Sequence, residues 1–141
     1  MRAPFSTRLR VYYQHTDAGG VVYHANYLSF MEAARMELLA ALGIDVRKLA
    51  AEETALFMVY SINIQYHRPA LVNDLLTVTA DVAKIGRVRM EFDQRVLRGE
   101  EELVTARVLA VCVHPRTLKP IAVPAPLCGK LGDISREPPP A

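Results

Sequence analysis

The sequence predicts an α+β domain in which a curved, antiparallel five-stranded sheet wraps one long central helix. Three observations carry the prediction. One long stretch with helical spacing runs from about His24 to Leu42, apolar residues alternate with a period of two from Thr54 onward, and a short alternating segment, Arg8 to Gln14, precedes the helix. At 141 residues the chain reads as a single domain spanning 1–141, with about 134–141 as a disordered tail.

The first strand places Leu9, Val11 and Tyr13 on alternate positions and leads into the turn Asp17-Ala18-Gly19-Gly20. The helix follows, with Tyr27, Leu28, Phe30, Met31, Ala34, Leu38, Ala41 and Leu42 at helical spacing and Gly43 as the stop. Its polar set, Glu32, Arg35 and Glu37, is small, so it is expected to be covered on most sides. Four strands complete the sheet. Met58, Tyr60, Ile62, Ile64 and Tyr66 share one face of the next strand, which Pro69 ends. Leu76, Val78, Ala80 and Val82 define another, broken at Gly86, and Val88, Met90, Phe92, Gln94 and Val96 a third, closed by Arg98-Gly99-Glu100. Val104 to Val113 is apolar on nearly both faces, which points to a central strand or a subunit interface. Five strands leave an open edge, so pairing of two sheets into at least a homodimer is expected.

Bulk properties exclude several classes. The net charge of +2 is too small to imply a nucleic-acid partner, although thirteen of the seventeen cations are Arg. Cys112 and Cys128 have no second cysteine nearby and read as reduced thiols. No uncharged stretch is long enough to span a membrane and the N-terminus lacks the apolar core of a secretory signal, so a cytoplasmic protein is expected. No zinc, phosphate-loop or dinucleotide motif is present, and His67 and His114 read as structural.

The chemistry concentrates at one turn. Asp17 lies just before the helix mouth, where unpaired amides carry roughly half a positive charge and can polarise a carbonyl oxygen. A thioester suits this arrangement, because its departing thiol has a pKa of roughly 8 to 9 and leaves without a strong general acid. Asp17 can attack the carbonyl or deprotonate a water; His24 can orient the water or acyl group and offer its backbone amide to the oxyanion; Tyr13 can hold the carboxylate or the substrate. Each has a structural alternative: Asp17 as a turn residue bonding nearby amides, His24 as a capping or surface residue, Tyr13 as core.

The segment from Val11 through Tyr27, with Tyr13, Asp17 and His24, closely resembles the active-site segment of hotdog-fold acyl-CoA thioesterases, nearest to the Tol-Pal-associated branch of the 4-hydroxybenzoyl-CoA thioesterase-like group. The likeness continues through Phe30 to Arg35, through Tyr66-His67-Arg68-Pro69-Ala70 with Asp74, and through Val111 to Pro115 followed by Lys119-Pro120. It implies a hotdog fold, catalysis by Asp17 with Tyr13 and His24, and active sites at the interface of a homodimer or homotetramer. It implies an acyl-CoA or acyl-carrier-protein substrate, coenzyme A being part of the substrate, with no metal and no separate cofactor. Gln14-His15 replaces a more acidic pair seen in many relatives. Lys84, Arg87 and Arg89 are the candidate contacts for coenzyme A phosphates, on local cation density alone. Two rival functions are a non-hydrolytic acyl-binding scaffold of envelope or lipid-synthesis machinery and a hotdog 3-hydroxyacyl thioester dehydratase.

Overall fold

The computed structural model describes residues 4–137. The elements run β1 (Phe5–Arg10), α1 (Asn26–Ala41), α2 (Val46–Glu52), β2 (Leu56–Tyr66), β3 (Leu75–Ile85), β4 (Arg89–Arg98), β5 (Glu101–Val113) and α3 (Ala125–Ile134). The strands form one antiparallel sheet in the order β1-β3-β4-β5-β2, so β1 and β2 are its edges. Phe5 lies opposite Ala80 and Arg10 opposite Leu75.

Tertiary contacts group the chain into two compact units. The first comprises the described residues up to Leu38 together with Ile64–Ala80 and Gln94–Ala106. Here Tyr27, Phe30, Met31, Ala34 and Leu38 of α1 are buried, as are Leu76, Val78 and Val96 of the strands. Gln94 is buried among them at 1% exposure, and its carboxamide is fully used. Nε2 donates to the Met31 and Thr79 carbonyls, each at 3.0 Å, while Oε1 accepts from Arg35 at 2.8 Å. A buried amide requires such partners, and these tie helix to strand. Burial pulls the Arg35 guanidinium below its ordinary pKa, an effect that nearby Glu32 opposes.

The second unit comprises Leu39–Asn63, Asp81–Asp93 and the described residues from Arg107. Ile85, Met90, Phe92, Val108 and Cys112 are buried there with Leu127 and Leu131, which share one face of α3 at i, i+4 spacing.

Several expectations change. The long helix begins at Asn26 and ends at Ala41, and Leu28 and Met36 remain exposed, so α1 buries one face instead of most of its surface. Two further helices appear. Asp45 caps α2 by accepting from the Arg47 and Lys48 amides, and the prolines at 124 and 126 set the first turn of α3. On β5 the even positions from Val104 to Cys112 are buried while Leu109 and Val111 are only half-buried, so that stretch has one face more open than the other, and the strand lies between β4 and the edge strand β2. The apolar face of β2 is also uncovered: Met58, Tyr60 and Tyr66 are exposed. The described part of the tail expected from about 134, up to Glu137, is bonded. The Arg136 and Glu137 amides donate to the Val82 and Ala83 carbonyls at 3.0 and 3.1 Å, and the Arg136 guanidinium pairs with Asp81 and Asp93. Residues 138–141 lie outside the described residues.

Candidate active site

Between β1 and α1 the chain makes a narrow antiparallel ribbon. Tyr13–His15 forms one 3-10 turn, Thr16 pairs with Val22, the Asp17 amide donates to the Val21 carbonyl (2.9 Å), and the Tyr23 amide donates to the His15 carbonyl (2.9 Å). The tip closes through the Gly20 amide on the Asp17 carbonyl at 3.1 Å. Gly20 has φ +82°, a conformation that favours glycine, and a Cβ on Gly19 would sit 3.2 Å from Asp17 Oδ1. That oxygen accepts the Gly19 amide at 2.8 Å, which orients the carboxylate. Asp17 is exposed, and no described residue donates to its Oδ2.

His24 and Ala25 link the ribbon to α1. The His24 ring tilts against Tyr23 at a 4.6 Å centroid separation and meets the edge of Tyr66 at 6.3 Å. With Tyr27, Tyr66, Arg68 and Pro69 it lines a pocket of about 250 Å³. Asn26 opens the helix, its side chain donating to the His15 carbonyl at 2.8 Å. Among the described residues no protein acceptor takes the His24 or Ala25 amide. Those donors therefore carry the positive end of the helix without a partner.

A second loop holds the ribbon in place. The Val22 amide donates to the Ala70 carbonyl (2.9 Å), the Ala70 amide donates to the Tyr27 hydroxyl (3.1 Å), and Val21 pairs with Leu71. Asp74 anchors that loop: its carboxylate accepts the Leu71 amide at 2.8 Å and Arg98 at 2.7 Å, and its carbonyl accepts the Val11 amide at 2.9 Å. Arg98 also grips Glu101 at 2.9 Å. Partial burial works against ionisation of Asp74, but the Leu71 amide and Arg98 outweigh it and hold the carboxyl below its ordinary pKa. The Arg68 and Arg98 guanidiniums depress Glu101 likewise. Desolvation pushes the Tyr27 phenol up, so it remains protonated in the braced turn.

The chain matches the family described as the thioesterase superfamily over residues 19–105, more than half its length. It belongs to that superfamily. The acyl-CoA thioester hydrolase YbgC of Escherichia coli O6:H1 is 40% identical over 121 residues, covering 85% of this chain and 90% of the relative. The acyl-CoA thioesterase YbgC of Haemophilus influenzae is 42% identical over 120 residues, covering 85% and 88%. Among solved structures, a probable thioesterase from Bartonella henselae superposes with TM-score 0.82 at 36% identity, covering 86% of this chain and all of that one. The hotdog thioesterase fold expected from the sequence is thus the fold observed.

Within this superfamily member, the three candidate residues lie on one ribbon without touching. No hydrogen bond or ring contact joins Tyr13, Asp17 and His24 among the described residues. Asp17 pairs with Val21, and at about 3.3 Å per extended residue His24 lies roughly 10 Å further along. Tyr13 departs from expectation: it sits on the 3-10 turn, not on β1, and is 83% exposed. The strand stops because Val11 is bonded on both sides to the 73–74 loop and the Tyr12 amide turns onto His15 Nδ1 at 2.9 Å. Lys84, Arg87 and Arg89 cluster at the exposed β3–β4 corner, in the second unit. Sequence reasoning assigned no role to Tyr66, Asp74 or Arg98. The signal was the Tyr66-to-Ala70 run followed by Asp74, which marks the loop that supports the ribbon.

Proposed function

We propose that this protein hydrolyses acyl-CoA thioesters to free acid and coenzyme A, with Asp17 as the reacting carboxylate. One observation carries the assignment: in a thioesterase-superfamily chain, an exposed carboxylate with an open oxygen stands on the same braced ribbon as two amides that no described residue engages. Asp17 either deprotonates the attacking water or adds to the acyl carbon to form a mixed anhydride that water then cleaves. In both routes the carbonyl oxygen becomes an oxyanion, which the amides before α1 receive, and collapse expels the coenzyme A thiolate. His24 orients the water or acyl group, and Tyr13 contacts the substrate through its free hydroxyl. Single-turnover hydrolysis in ¹⁸O-water reads the route: label in Asp17 shows direct attack followed by cleavage of the anhydride at the Asp17 carbonyl, whereas base catalysis, or cleavage at the acyl carbonyl, places it in the product acid.

The decisive assay is thiol release from acyl-CoA and acyl-carrier-protein substrates of varied chain length. Wild type releases thiol and Asp17→Asn does not; equal rates for the two on every substrate would refute the assignment. Water and the chain's own groups suffice for the reaction, with coenzyme A entering as part of the substrate and Lys84, Arg87 and Arg89 meeting its phosphates.

The active form is a homodimer, or a homotetramer built from it, joined along β2. That edge strand exposes Met58, Val59 and Tyr60, an apolar edge that natural sheets rarely leave open, and a facing copy would cover it. Tyr60→Lys should shift sedimentation toward monomer and lower activity together; monomeric wild type with full activity would refute the dimer. No described helix is long and apolar enough to cross a membrane. We place the activity in the cytoplasm, beside Tol-Pal envelope machinery, where acyl-CoA is made.

A further inference from the structure

Tyr66 is the last residue of the edge strand β2, and its ring lies in the site beside that of His24. The residues after it in the chain fix its position. The His67 and Arg68 amides both donate to the Leu103 carbonyl, at 2.8 and 3.1 Å, and the His67 ring bonds Thr105 at 2.8 Å. The Tyr66 ring also meets Tyr27 at a 5.6 Å centroid separation. From this scaffold the hydroxyl donates to the His24 carbonyl at 3.0 Å.

That carbonyl belongs to the same planar peptide group as the Ala25 N–H. In a trans peptide the two dipoles point in opposite directions, so holding the oxygen on the Tyr66 side turns the N–H to the other side. The hydroxyl also withdraws density from the carbonyl and strengthens the N–H as a donor, as hydrogen bonds in series do. Among the described residues the Ala25 amide has no acceptor. Desolvation pushes the Tyr66 phenol above its ordinary pKa, which keeps the proton it donates.

We propose that Tyr66 is a positioning residue that aims and polarises the His24–Ala25 peptide, making the Ala25 amide an oxyanion donor in thioester hydrolysis. The proposal rests on the thioesterase reading of the site. It also ties the site to the edge strand, since whatever seats β2 seats this hydroxyl.

The test is Tyr66→Phe, which removes the hydroxyl and keeps the ring. A direct oxyanion donor contributes about 10²- to 10³-fold to kcat; an indirect one should contribute less, about tenfold. We expect kcat to fall about tenfold with KM nearly unchanged and melting within a few degrees of wild type. Affinity for an acyl trifluoromethyl-ketone analogue of coenzyme A, which forms a tetrahedral adduct or hydrate, should fall in parallel, while affinity for the non-hydrolysable thioether analogue should not. Unchanged kcat and unchanged ketone affinity overturn the proposal, as does an equal loss for both analogues. Should Tyr66→Phe fail to fold, Tyr66→Met carries the same measurements, and collapse of both would make Tyr66 a folding residue and overturn the proposal as well. Wild-type activity reports on the thioesterase reading separately: its absence refutes that reading, while an active wild type and an equally active Tyr66→Phe refute only this inference.

Discussion

Gln94 and Asp17 belong to the same compact unit and stand in opposite surroundings. Gln94 is 1% exposed, with both ends of its carboxamide bonded to helix, strand and Arg35. Asp17 is exposed, has one short bond to its own turn, and keeps an open oxygen. Polar groups inside the unit are saturated because an unpaired buried amide or charge is destabilising. Those at the ribbon tip can remain unpaired because they are exposed to solvating water. The ribbon itself is not loose: its backbone is bonded to the 70–74 loop, which Arg98 and Asp74 secure. Rigidity resides in the backbone of the ribbon, while the side chain it displays keeps an oxygen open.

The contrast can be broken first at its reactive end. Asp17→Asn keeps an oxygen for the Gly19 amide but loses the charge, so kcat should fall by about 10³-fold with melting nearly unchanged, as thiol release and calorimetry would register. A comparable loss of stability would mean that Asp17 serves mainly to form the turn.

At the saturated end, Gln94→Leu strands the Arg35 guanidinium and removes three hydrogen bonds. We expect a loss of about 3 kcal/mol in urea unfolding, with kcat per folded molecule retained. A neutral effect would show that helix and strand are held by apolar burial alone.

The smallest effect sharpens the role of the connecting brace. Asp74 and Glu101 are held below their ordinary pKa, so their stabilisation is complete above the unfolded value of about 4 and disappears as pH falls through the lower folded value. Wild type should therefore lose stability on acidification below about pH 4. Arg98→Gln should lower melting modestly at neutral pH and partly flatten that acid limb, because the cation shared by both carboxyls is gone while the Leu71 amide still holds Asp74 and Arg68 still holds Glu101. Parallel acid limbs in the two proteins would place the titration elsewhere.

Much of this was legible in local pattern. Alternation located β3 and β4 with their buried faces, helical spacing located α1, and Asp17 with two glycines marked the tight turn, since Gly20 has the φ that glycine tolerates best. The misread pieces each involve a distant partner. Tyr13 alternates with Leu9 and Val11 as a strand residue would, yet the 73–74 loop captures Val11 and the chain turns away. The α3 segment is short and proline-rich, so its pattern resembles loop until Leu127 and Leu131 are seen buried.

The residues alone singled out the carboxylate proposed to react and the turn that presents it, because turn chemistry and periodicity act over a few neighbouring positions. Tertiary structure decided what supports that group. The Gln94 bond to Met31 spans 63 positions, the Tyr66 bond to His24 spans 42, and the Arg98 bond to Asp74 spans 24. No local spacing encodes such pairs; they form only when the sheet brings its strands and the helix mouth together.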